Sequence, residues 1–190
     1  MPWLILPAAY LLGGFSPGYW LVRLRTGGDV REHGSGATGA TNAARLLGKG
    51  GFALVLLLDA LKGVLAVVAA RWAGLTGGWE FAAGTAVVAG HVWPVQLRFR
   101  GGRGLGPLLG AWLALAPLAI GACLAIAAVF WAVTKRKVHA GLFGTLLLPA
   151  TVWWQTRSYV ATACTGIAFC IIAFAHRSHF QSAGASPRSA

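Results

Sequence analysis

The sequence predicts an all-α fold: a polytopic membrane bundle of about seven transmembrane helices, with the N-terminus outside and the C-terminus cytoplasmic. Three observations predict it. Only 11% of the 190 residues are charged and 57% are hydrophobic, whereas a soluble domain carries about 25% charged residues to cover its wet surface. The apolar residues fall in runs near the length of about 20 that spans a bilayer as a helix. Lys and Arg gather in short stretches between those runs, as they do in cytoplasmic loops.

The elements follow in chain order. A first apolar segment covers residues 3–22, and the opening MPWLILPAAYLLGGF has no basic stretch before its apolar run. It is therefore expected to be a spanning helix and not a cleaved signal. A glycine-rich polar loop is expected over 23–51, then apolar segments over 52–72 and 81–97, and a basic loop, RFRGGRG, over 98–104. The stretch 107–134 is too long for one span and short for two. A turn near Ala116-Pro117 brings Lys135, Arg136 and Lys137 to the same side as Arg23, Arg31, Arg45, Lys49, Arg98 and Arg103, which the positive-inside rule favours. Segments over 141–154 and 160–175 complete the seven. The chain reads as one domain over 1–180, with a small polar tail over 181–190 expected to be disordered.

The net charge is +12, from 16 Lys and Arg against 4 Asp and Glu. Such a balance suits nucleic acid, anionic lipid or an anionic substrate. Nucleic acid is excluded by the placement of the basic residues, which sit in short loops between apolar runs. The three cysteines, Cys123, Cys164 and Cys170, lie within apolar segments and lack metal-site spacing. No metal site and no cofactor are expected.

Two loops hold the residues suited to chemistry. The first reads GSGATGATNAARLLG over 34–48. Gly34, Gly36 and Gly39 allow the backbone to bend and to present N–H groups as an anion nest. Ser35, Thr41 and Asn42 add side-chain hydrogen bonds, and Arg45, near the start of a helix, supplies a bidentate clamp for phosphate. The second reads GHVWPVQLRFRGGRG over 90–104. Arg103 follows Gly101-Gly102 and precedes Gly104, and the same phosphate logic applies. His91 is either hydrogen-bonded structure or a proton carrier or ligand contact. Asp59 and Lys62 are spaced i, i+3 on one helix face; they either pair with each other or mark function. Some chemistry is missing from the sequence. No His-x-x-x-x-Asp occurs, nor a G-x-x-x-x-G-K-[ST] loop, and four acidic residues leave little room for paired-carboxylate catalysis.

At these loops the chain resembles the bacterial acyl-phosphate-dependent glycerol-3-phosphate acyltransferases, the PlsY family. GSGATGATNAARLLG, the LLLDALKG stretch over 56–63 and GHVWPVQLRFRGGRG all match that family's motifs in order and spacing. The resemblance covers residues 11–107 well and the rest weakly. It implies transfer of a fatty acyl group from acyl phosphate to the 1-hydroxyl of glycerol 3-phosphate, giving lysophosphatidic acid for phospholipid biosynthesis. The implied partners are those two substrates and membrane lipids, and the implied location is the bacterial inner membrane. Ser35, Arg45, Arg103 and His91 become the expected catalytic set. Gly34, Gly36, Gly39, Thr41, Asn42, Gly101, Gly102, Gly104, His176 and His179 become the expected substrate-binding set. The chain departs from the family pattern at Ala37, at Arg103 where lysine is usual, at His139-Ala140 and at His179. Those departures define an alternative expectation, a divergent chain that binds a phosphate-bearing lipid without catalysis or with another substrate.

Overall fold

The computed structural model describes residues 1–177, apart from the side chains of Lys137 and Val138. It is all-helical: α1 Ile5–Gly14, α2 Pro17–Thr26, α3 Ala40–Trp72, α4 Trp79–Val92, α5 Leu105–Leu115, α6 Pro117–Thr134, α7 Lys137–Leu146, α8 Leu148–Thr156 and α9 Tyr159–Ala175. Single 3-10 turns cover Pro2–Leu4, Val30–Glu32 and Val95–Leu97. Three stretches are long and apolar enough to cross a membrane, Pro2–Thr26, Ala40–Trp72 and Pro117–Thr134, and α5 and α9 are shorter apolar helices.

Local chemistry sets the boundaries. Pro17 starts α2 and Pro117 starts α6, because proline at the first helical position loses no helical N–H bond. The turn at Ala116-Pro117 thus splits 107–134 as expected. Gly27 closes α2 with a left-handed φ of 73° and donates its N–H to Arg23 O at 3.0 Å. The first apolar segment is one run in the sequence but two helices in space, broken at Phe15-Ser16. The segment expected over 141–154 is likewise divided, between α7 and α8, where Pro149 lies in the first turn of α8. The polar loop expected over 23–51 shrinks to residues 27–39, because its second half is already helical in α3. That helix is interrupted at Gly48, whose φ of 68° and ψ of −165° are not helical.

Packing in lipid gains nothing from hiding oil from oil, so close backbone contact must hold the helices together. α3 packs most extensively on α5, and α1 on α4. A Cβ on Gly110 would overlap Ala60 O, and one on Gly63 would overlap Pro107 O. At the α1–α4 crossing, a Cβ on Gly13 would overlap Val87 O and one on Gly90 would overlap Tyr10 O. Trp112 is fully buried between these layers, edge-on to Phe81, and donates its indole N–H to Thr165 Oγ1 of α9 at 3.1 Å. The side of α6 turned away from this core is broadly exposed, with Leu118, Leu124, Val129 and Val133 at its surface.

Gly110→Leu is expected to cost about 3 kcal/mol or more through overpacking, read as a lower thermal midpoint in detergent. Gly121→Ala on α6 is the control, since a Cβ there meets nothing within 4 Å, and its midpoint should match that of the unmodified protein.

Candidate active site

The two loops meet at one end of the bundle. Thr38 donates its backbone N–H to Gly101 O at 3.2 Å. The buried Ser16 hydroxyl lies 2.6 Å from the buried Thr38 hydroxyl, so the break between α1 and α2 braces the first loop from behind. Gly18 sits so near Thr38 that a Cβ would overlap Thr38 O. Arg31 forms a second bridge. Its guanidinium pairs with Asp29 at 2.6 Å, donates to Leu97 O at 2.9 Å and lies over the Tyr19 ring. Between the loops is a cleft of about 550 Å³ bordered by Tyr19, Arg31, Glu32, Gln96, Arg98 and Arg100.

The first loop is folded around Asn42. Its amide nitrogen lies 2.8–2.9 Å from Val30 O, His33 O and Ala37 O, and its Oδ1 accepts the Ser35 N–H at 3.1 Å. With 2% exposure and both ends of the amide engaged, Asn42 shapes the loop from inside. Gly34, at φ 55°, lies against Asn42 Oδ1 and the Arg45 side chain, where a Cβ would be 2.7 Å from Arg45 Cδ. That contact holds the Arg45 stem against the backbone of Gly34, the residue before Ser35. Ser35, Gly36, Thr41 and Arg45 are all exposed, and Gly39 precedes the first turn of α3, its carbonyl accepting from Asn42 N and Ala43 N.

The second loop differs from the expectation. Gly101 and Gly102 were expected to offer N–H groups to an anion. Instead Gly101 N–H bonds Val92 O at 3.2 Å and Gly102 N–H bonds His91 O at 2.9 Å, so both amides close the end of α4. Glycine is required for closeness: a Cβ on Gly101 would overlap His91 O, and one on Gly102 would overlap the His91 ring at Nε2. Two non-glycine residues, Arg98 and Phe99, take left-handed φ values of 54° and 61° just before. Each is an uncommon conformation that the surroundings must hold. Gly104, at φ 87°, starts α5 and lies against Ile172, Val88 and Val92. Arg103 is half-buried between Gly102 and Gly104. His176, 2% exposed, follows Ile172 by one turn and has Nδ1 2.9 Å from Ile172 O, which puts it on the α9 end that abuts Gly104. His179 lies outside the described residues.

His91 is enclosed, with 3% exposure, beneath Gly102. It belongs to a buried cluster with Asp59 and Lys62. Lys62 Nζ lies 2.8 Å from Asp59 Oδ1 and 2.7 Å from His91 Nδ1, and donates to Gly13 O at 2.9 Å and Phe15 O at 2.8 Å. Asp59 Oδ1 faces the ammonium at ion-pair distance without the alignment of a hydrogen bond, and lies 3.3 Å from His91 Nδ1. The i, i+3 pair thus exists, and it reaches two further helices. Sequence reasoning missed Ser16 and Arg31, whose partners Thr38 and Leu97 are remote in the chain, and Asp29, whose partner Arg31 lies only two residues on.

This geometry is the setting for the comparisons with known proteins. A sequence model described as Glycerol-3-phosphate acyltransferase matches residues 3–185. The chain belongs to that family. Glycerol-3-phosphate acyltransferase 1 of Desulfitobacterium hafniense (strain Y51) is 42% identical over 173 residues, covering 91% of this chain and 86% of its own. The glycerol-3-phosphate acyltransferase of Synechococcus sp. (strain CC9902) is 37% identical over 188 residues, covering 97% and 94%. Among solved structures, the glycerol 3-phosphate form of PlsY, an integral membrane glycerol 3-phosphate acyltransferase, superposes with a TM-score of 0.88 at 27% identity, covering 100% of this chain and 96% of that one. Its lysophosphatidic acid form gives 0.85 at 26% identity, covering 96% and 91%. This member of the acyltransferase family is therefore an integral membrane protein in fold as well as in composition.

The Arg31 guanidinium holds the Asp29 carboxyl below its ordinary range. A lowered carboxyl contributes stability at neutral pH that disappears as pH falls through its folded value. Acidification below about pH 4 is expected to loosen the first loop, read as faster proteolysis there. Asp29→Asn should be loosened already at pH 7 and show no further acid step in that range.

Proposed function

We propose that the chain transfers a fatty acyl group from acyl phosphate to the 1-hydroxyl of glycerol 3-phosphate, making lysophosphatidic acid and releasing inorganic phosphate. The single observation that supports this reading is the junction of the two family loops, where Thr38 N–H bonds Gly101 O at 3.2 Å, so that the loop carrying Ser35 adjoins the loop carrying Arg103. The hydroxyl oxygen attacks the acyl carbonyl, the bond from that carbon to the phosphate oxygen breaks, and phosphate leaves, taking up the hydroxyl proton. Acyl phosphate is already an activated mixed anhydride, so the protein mainly orients two anions and offsets their repulsion. Arginine suits that task, because its planar fork meets phosphate oxygens in pairs. Ser35 and Arg45 contact substrate hydroxyl or phosphate groups from the first loop, and Arg103 does so from the second. Gly34, Gly36 and Thr41 form the exposed rim on which the phosphates rest, with half-buried Gly39 and buried Asn42 fixing that rim from within. Gly101, Gly102 and Gly104 set the height of Arg103, and His176 closes the same end from α9. The family match and the retained Ser35 and Arg45 support catalysis over the non-catalytic alternative.

The acyl chain lies among the helices while both phosphates stay at the interface. The reading is completed by a topology of seven spans in the bacterial inner membrane, N-terminus outside and C-terminus cytoplasmic, with the loops facing the cytoplasm. Cysteines placed at residues 135 and 136 are expected to react only from the cytoplasmic side, and labelling from outside would reject this orientation.

The activity test is acyl transfer from palmitoyl phosphate to labelled glycerol 3-phosphate by the purified protein in detergent. Ser35→Ala is expected to lower kcat/KM by about a hundredfold or more, and Arg45→Ala to raise the KM for a phosphate-bearing substrate by about tenfold. Full product formation by Ser35→Ala would remove Ser35 from the mechanism.

A further inference from the structure

The Asp59–Lys62–His91 cluster is larger than two neighbouring charges require. An i, i+3 pair on one helix could satisfy itself. Here Lys62 reaches past Asp59 to the terminal carbonyls of α1, at Gly13 and Phe15, and to His91 on α4. A buried ion pair adds little net stability over an apolar packing of the same volume, and charge inside a membrane bundle is retained where it has a task.

The contacts of the cluster identify the task. The second loop leaves α4 at His91-Val92 and enters α5 at Leu105. At its start, His91 O and Val92 O accept the Gly102 and Gly101 amides. At its middle, Gly102 rests on the imidazole, with no space for a Cβ against Nε2. Just past its end, in the first turn of α5, Gly106 lies against the Asp59 side chain, where a Cβ would be 2.7 Å from Asp59 Cβ. Gly102 in the loop and Gly106 at the start of α5 each touch a member of the cluster, and Arg103 lies between those two contacts. The imidazole is itself held at Nδ1, 2.7 Å from Lys62 Nζ and 3.3 Å from Asp59 Oδ1. Fixing one ring nitrogen orients the other.

We propose that Asp59, Lys62 and His91 are positioning residues for the second loop: the ion pair locks the His91 ring, and the ring sets the height and direction of the Gly102-Arg103 backbone, and so of the Arg103 guanidinium. This rests on the reading above in which Arg103 contacts substrate. The cluster touches no substrate and exchanges no proton in the reaction. Its effect on rate passes through Arg103.

The test is a double-mutant cycle on the purified full-length chain in detergent, with palmitoyl phosphate and glycerol 3-phosphate. His91→Asn keeps a polar group near Lys62 but withdraws the ring from under Gly102. It is expected to lower kcat/KM by about a hundredfold, the scale of an ångström of misplacement. In an Arg103→Ala background the same change should cost less than about threefold, because residues acting as a unit are non-additive. The thermal midpoint should fall by the same amount in both backgrounds, which separates positioning from general loosening. Equal fold-losses in the two backgrounds, or no loss in the first, would overturn the proposal while leaving Arg103 in its role. Full activity of Arg103→Ala would overturn the role of Arg103 and the positioning with it. Should His91→Asn fail to fold, Gly102→Ala probes the same contact from the loop side. It is expected to lose about a hundredfold alone and less than about threefold with Arg103→Ala, and retained activity in Gly102→Ala would overturn the proposal.

Discussion

The bundle is organised around one buried ammonium group. Lys62, with 3% exposure, can be held among apolar helices only if its donors find acceptors. Those acceptors come from one helix end, one partner charge and one ring nitrogen. The end of α1 supplies two carbonyls that helix geometry leaves without internal partners, Asp59 supplies the opposite charge, and His91 supplies a ring nitrogen near the end of α4. The same lysine therefore settles where α1 stops, how α3 meets α4 and where the second loop departs. Removing it would strand a carboxylate and two carbonyls together.

Glycine does the complementary work. At the helix crossings it is there because oxygen atoms of a neighbouring backbone occupy the space of a Cβ, as at Gly110 against Ala60 and Gly13 against Val87. In the second loop it is there for the same reason, with His91 as the neighbour. Only at positions such as Gly34 and Gly104 does a left-handed φ add a conformational demand. One residue type thus serves three needs: close helix approach, a tight return onto α4, and left-handed turns.

Much of this was legible in the sequence. Apolar runs and charge placement gave the helical membrane class, and the split at Ala116-Pro117 followed from proline together with the clustering of Lys135 and Arg136. Ser35, Arg45 and Arg103 stood out in the sequence because hydroxyl, guanidinium and glycine recur at close spacing, and their roles belong to the proposed reading. The inward turn of the Gly101 and Gly102 amides was not legible, since it depends on where α4 ends in space. Asn42 was read as a ligand because an exposed loop amide and a buried one are spelled alike. Ser16 and Arg31 were missed because their partners, Thr38 and Leu97, are 22 and 66 residues away. The boundary between loop and helix at Ala40 was blurred by three glycines after Leu47 in a stretch that is nevertheless mostly helical.

The break at Gly48 has a mechanical meaning. Residues 49–72 form the part of α3 that can cross the bilayer, about 36 Å at 1.5 Å per residue against a hydrocarbon core of about 30 Å. Such a helix tilts when the membrane thins or thickens. Residues 40–47 are separated from it by a non-helical joint, and they are tied instead to the loop carbonyls through Asn42. Arg45 rides on this short segment. A change of tilt in the long portion would therefore meet the non-helical joint at Gly48 before it reached the segment that Asn42 ties to the first loop.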